Sequence, residues 1–313
     1  MRAISTLENV IDRVHQMSAD YHDEIVPVSD IRFNSLEQAE VSGQEVKVLP
    51  SAQRLFANRL RVPHSYLSRC PAGLQADNLN HWMREEQSNR DTLFCRFDGM
   101  SLRAVFTERY TELDNLQVLS RMLEYGFEPS QEVHYILDGS MMVLKMPDRS
   151  KMFGLAQNDK LVPGISISNS EVGILSFTLE CYIFRLACSN GLITKTAIAN
   201  RFKHISTKAL DQFPDVMMRV VEQSRLSESQ LRFSVETRVD DPPATINTFN
   251  RQFQISQDLG DKVVQAWEVE PAYTMFGVIN SYTFSAKNKD LTAEQSYKLE
   301  RTGGAILSLV KPH

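Results

Sequence analysis

The sequence predicts an α+β fold: an antiparallel sheet built from hairpins, flanked by helices, with helical N-terminal and C-terminal parts. Three observations predict it. Two Asp-Gly pairs, Asp98-Gly99 and Asp138-Gly139, each interrupt a run of β-type apolar residues, the strongest short-range signal for a tight hairpin. Helical patterning occupies the start of the chain, residues 51–87 and much of the chain beyond residue 212. No regular strand–helix–strand repeat runs through the chain, which argues against a parallel doubly wound sheet.

Residues 1–22 are expected to be helical, because Leu7, Val10, Ile11, Val14 and Met17 recur at three- and four-residue spacing. "IVPVSDIRF" and "VKVLP" read as short strands around a Ser42-Gly43 turn. Residues 51–87 read as three short helices, capped by Ser51 and punctuated by Pro63 and Pro71, with Leu74, Leu79 and Trp82 on the inner side of the third. "TLFCRFDGMSLRAVFT" is the first hairpin. Asp114 caps a helix bearing Leu116, Leu119, Met122 and Leu123, and Gly126 stops it. "QEVHYILDGSMMVLKMP" is the second hairpin.

"LVPGISISNSE" then leads into the long run "VGILSFTLECYIFRLACSNGLI". In that run Leu175, Phe177, Leu179, Cys181 and Ile183 share one face, while Ser176, Thr178, Glu180 and Tyr182 share the other. Strict alternation puts Arg185 on the apolar face, so either a bulge re-aims it or, the favoured reading, it is semi-buried and paired with a carboxylate such as Glu171. After residue 210 the segments FPDVMMRVVEQSRL, TFNRQFQI and DLGDKVVQAWEVE read as helices. "DDPPA" at 240–244 has the composition of a linker, and Gly303-Gly304 that of a tight turn. The domain expectation is an α+β core with a helical N-terminal part over 1–212 and a mostly helical region over 213–313 that can pack on that core.

Composition narrows the function. The 313 residues are 42% hydrophobic and 23% charged, enough to build a core. A net charge of −5 argues against coating nucleic acid by bulk charge. No signal peptide is visible, and no run reaches the ~18 apolar residues that a membrane span needs. A cytoplasmic protein without a membrane partner is expected. The four cysteines, Cys70, Cys95, Cys181 and Cys188, form no close pair and read as reduced thiols. No phosphate loop, dinucleotide fingerprint, nucleophile elbow or zinc-protease motif occurs. No catalytic residue, metal or cofactor is assigned.

The basic residues carry the functional expectation. Arg96, Arg103, Arg109 and Tyr110 lie on or beside the first hairpin. Arg185, Lys195, Arg201, Lys203 and His204, with Lys208, fall in a stretch between Glu180 and Asp211 that holds no carboxylate. Cations with interleaved aromatic rings suit a single-stranded nucleic acid, which needs charge for phosphates and ring faces for bases. Two alternatives stand beside this: a protein-binding anti-defence or regulatory factor, and a metal-dependent enzyme using Asp98, Glu108 or Asp114 near Arg109.

Four segments also carry a resemblance: "RLRVPHSYLSRCPAGLQADNLNHWM", "LRAVFTERYTELDNLQVL", "PGISISNSEVGILSFTLECYIFRLACSNGLI" and "TMFGVINSYTFSAKN". In this order the chain resembles the domain-of-unknown-function family numbered 932, a phage- and plasmid-like lateral-transfer family. The resemblance implies a mobile-element protein working in the host cytoplasm. From that context come three further expectations: recombination or DNA protection, a single-stranded DNA or host or phage protein partner, and a homo-oligomer.

Overall fold

The computed structural model describes residues 2–156, 159–186, 190–194 and 213–311. Cys188 and the basic positions Lys195, Arg201, Lys203, His204 and Lys208 lie outside the described residues. The described chain is α+β, as the hairpin signals predict: two sheets with flanking helices.

The chain opens with a strand, β1 (Arg2–Thr6), before helix α1 (Leu7–Met17). This corrects the expectation of one helix over 1–22. The periodic apolar residues all lie in α1, and Thr6 Oγ1 accepts from Asn9 N at 3.4 Å to start it. Residues 2–6 instead pair with residues 132–136, a contact no local pattern announces.

A six-stranded sheet comes next: β2 (Tyr21–Pro27), β3 (Ile31–Phe33), β4 (Gln38–Val41), β5 (Gln44–Val48), β6 (Thr92–Asp98) and β7 (Ser101–Phe106). Its order is β2-β6-β7-β5-β4-β3, antiparallel except for β5 beside β7. The β6–β7 hairpin turns at Gly99, whose φ of +50° is the left-handed region that the Asp-Gly pair anticipates. Three helices pack on this sheet: α2 (Pro50–Arg59), α3 (His64–Leu67) and α4 (Ala72–Gln87). Val26, Phe33, Val48, Phe56, Leu67, Leu79, Leu93 and Leu102 form their common core. On α4 only Leu79 of the three expected inner residues is inside. Leu74 and Trp82 are 42% and 43% exposed, because Leu79 and Met83 mark the buried face.

The second sheet has seven strands. After α5 (Asn115–Glu124) come β8 (Glu132–Leu137), β9 (Met142–Pro147), β10 (Phe153–Ala156), β11 (Asp159–Asn169), β12 (Thr178–Arg185) and β13 (Asn190–Thr194). The order is β1-β8-β9-β11-β12-β13, with β10 beside the start of β11. Five further helices close the described chain: α6 (Phe213–Glu236), α7 (Pro242–Gln252), α8 (Gln257–Val269), α9 (Met275–Ser285) and α10 (Ala293–Leu307). One apolar cluster joins Leu7, Leu119, Leu144, Ile167 and Cys181 to Leu231, Val263, Val278 and Ile306. That core therefore runs across residue 212, where the sequence suggests a boundary.

Two local readings change. Asp241 caps α7 through Ala244 N, with Pro242 in its first turn, so "DDPPA" starts a helix rather than forming a linker. Gly303 and Gly304 lie buried inside α10, not in a turn. β12 is buried on both faces: Leu179, Cys181 and Ile183 join the large core, while Tyr182 and Phe184 join a smaller cluster with Ile136, Val143 and Tyr297.

Candidate functional site

Arg96 and Arg103, assigned by sequence to a nucleic-acid surface, are each only 3% exposed. Buried guanidinium groups require acceptors, and these have them. Arg96 Nε donates to Asp23 Oδ1 at 2.9 Å, Nη2 to Asp114 Oδ1 at 2.6 Å and Nη1 to the Glu171 carbonyl at 3.2 Å. Burial works against this charge, and the hydrogen bonds and charges of Asp23 and Asp114 outweigh it, so Arg96 stays firmly protonated. Arg103 Nη2 donates to Glu171 Oε2 at 2.8 Å, and its guanidinium lies 3.3 Å from the centroid of the Tyr21 ring. Neither arginine presents a free cation to a phosphate.

The Asn169-Ser170-Glu171 turn completes this joint between the two sheets. Glu171 Oε1 accepts from Asn115 N at 2.8 Å, and Asn169 Nδ2 donates to the Leu113 carbonyl at 2.9 Å. Ser170 Oγ donates to the Ser140 carbonyl at 2.6 Å. The turn within "PGISISNSEVGIL" is thus wholly interior, with Asn169 and Ser170 at 0% exposure. Beside it Arg109 is exposed, and Tyr110 stacks on Phe106 with ring centroids 3.8 Å apart. Burial pushes the Tyr110 hydroxyl up to about 12.

Arg185 is paired, as expected of a semi-buried cation, but its partner is not Glu171. Its Nη2 and Nη1 grip Glu270 at 2.9 and 3.2 Å, and Nη1 also donates to Asn280 Oδ1 at 3.0 Å. The fork ties β12 to the C-cap of α8 and to α9. A second polar layer lies where β9, β11 and β12 meet α10. There Lys145 pairs with Glu300, Arg301 Nη2 donates to Glu180 Oε1 at 2.8 Å, and Ser168 bonds the Tyr297 hydroxyl at 2.9 Å.

The concavity that sequence reading missed is a groove of about 730 Å³ between α6 and the start of β8, the end of β9, the start of β10 and the middle of β11. Met146, Pro147, Phe153, Pro163 and Ile165 give it an apolar floor. Gly164 keeps that floor tight: a Cβ there would stand 2.2 Å from the Met146 carbonyl oxygen. The rim holds ion pairs. Arg149 Nη2 meets Glu132 Oε1 at 3.0 Å, and Lys151 Nζ meets Asp148 Oδ2 at 2.9 Å. A hydrogen bond from His134, then Arg149, holds the Glu132 carboxyl below its usual range, and Ser150 and then Lys151 do the same for Asp148. The signal in the sequence is slight: Pro147-Asp148-Arg149 and Pro163-Gly164 are unusual strand composition, but read locally they mark only turns.

No family model, curated protein or solved structure matches this chain.

Among the described residues, no group of three or more His, Cys, Asp or Glu side chains is placed to hold a metal ion. Of the acids considered for an enzyme near Arg109, Asp114 is engaged by Arg96. Among the described residues no helix is long and apolar enough to cross a membrane. Cys70, Cys95 and Cys181 are free thiols, and burial pushes the Cys95 thiol up to about 12, far from a reactive thiolate.

Proposed function

We propose that the protein is a non-enzymatic, single-stranded nucleic-acid-binding protein whose main contact is the segment 195–208. The observation that carries this reading is how the fold uses its cations. Arg96, Arg103, Lys145, Arg185 and Arg301 are all engaged by the fold's own carboxylates. Lys195, Arg201, Lys203, His204 and Lys208, outside the described residues, form in sequence a basic run with no acidic residue among them, in a chain of net −5. In sequence the run lies between β13 and α6. The resemblance to a mobile-element family supports a role in strand annealing or protection in the host cytoplasm, performed as a homo-oligomer.

The test is the salt dependence of binding to a labelled oligo-dT, read by fluorescence anisotropy. Four phosphate contacts to a single strand give a log–log slope of roughly −3, about a fifty-fold loss of affinity between 50 and 200 mM salt. Lys195→Glu with Lys203→Glu should flatten that slope. Binding that is absent, or flat with salt, overturns the reading.

A second reading, protein binding, is favoured by Tyr66, Leu74 and Trp82, apolar side chains 39%, 42% and 43% exposed on α3 and α4. Capture of a host protein that survives nuclease treatment supports it over the first.

A further inference from the structure

The groove beside α6 is a site of its own, independent of the nucleic-acid reading. We propose that it binds an organic anion with an apolar body, the acid group held by Arg225. Its volume of about 730 Å³ falls in the range of small-molecule sites. An apolar floor with few polar groups selects for a ligand that is mostly hydrocarbon or aromatic, and Phe153 offers it a ring face.

The charges on the lining decide the rest. Three carboxylates line the groove, and each has its own cation: Glu132 has Arg149, Asp148 has Lys151, and Glu228 has Arg232, the last at 2.8 Å. Arg225, one turn from Glu228 on α6, is exposed and makes no ion pair with any described residue. Once the pairs are cancelled, one guanidinium remains over an apolar floor. A guanidinium receives carboxylate, sulfonate or phosphate oxygens through two parallel N–H donors, so the ligand's polar end is an oxyanion.

The probe is 8-anilinonaphthalene-1-sulfonate, an aromatic body with one sulfonate, titrated into the intact protein and followed by fluorescence. The expected result is saturable binding at one site per chain. Arg225→Glu should weaken it at least tenfold, and Ser224→Trp, which crowds the groove from the helix side, should abolish it. Arg219→Glu, an exposed arginine on the same helix but not on the groove lining, should leave it unchanged. Arg225 is exposed on the side of α6 away from its buried residues Leu231 and Ser234, whereas Ser224 is half-buried beside their stripe, so far-ultraviolet circular dichroism of each variant checks that it folds. Decanoate should displace the probe. Three outcomes overturn the proposal: no saturable binding; binding indifferent to both Arg225→Glu and Ser224→Trp; or displacement by oligo-dT but not by decanoate, which would assign the groove to the nucleic-acid site.

Discussion

Glu112 stands at the margin of the joint where Asp23 and Asp114 already satisfy Arg96. Its partial burial, a hydrogen bond to Asp23 and the charges of Asp114 and Asp23 together raise its carboxyl above the usual range. The folded state therefore holds this proton more tightly than the unfolded chain does. Ionising Glu112 costs stability, a cost absent below the ordinary carboxyl range and complete once pH has risen past the raised folded value. Glu112→Gln should thus stabilise the protein at pH 7 by about 0.5 kcal/mol after solvent screening, a rise of roughly 1–2 °C in Tm. The difference should vanish as pH falls to about 4; a melting series across pH 4–8 checks it. The joint also shows what sequence conceals at this scale. An arginine destined for burial looks locally like a surface arginine. The groups that hold Arg96 lie 18, 73 and 75 residues away, and only folding assembles them.

Elements are easier to read than residues wherever the backbone itself imposes the signal. Gly99 at positive φ, Gly126 at +86° and the Asp114 cap with its Gln117 return bond all follow from short-range sterics and hydrogen bonding. Composition read without position misleads. "DDPPA" looks like a linker, yet Asp before two prolines is also a helix entrance, since a first-turn proline has no N–H to lose. Asp241→Ala removes the 3.0 Å bond to Ala244 N and should cost about 1 kcal/mol in urea unfolding. Gly303-Gly304 misleads for the opposite reason. A buried helix tolerates small residues where a neighbour packs closely, and no local rule distinguishes that from a turn.

For the whole molecule, the fold class is legible because hairpins and helices announce themselves, while the way they share a core is not. The large apolar cluster draws Leu231, Val263, Val278, Leu299 and Ile306 onto the same core as Leu144, Ile167 and Cys181. A chain ending at residue 212 should therefore lose the near-ultraviolet circular dichroism of packed aromatics and its cooperative thermal transition. The same long-range economy explains why the groove escapes a local reading: several strands and a helix more than fifty residues further along the chain build it jointly. Its consequence reaches into the order of biosynthesis. All six strands of the first sheet lie before residue 107, but β1 cannot pair until β8 has been made. At ribosomal elongation rates that lag lasts about 2–6 s beyond closure of the first sheet. For that interval the backbone groups of β1 that will pair with β8 stay open to solvent or to wrong strands.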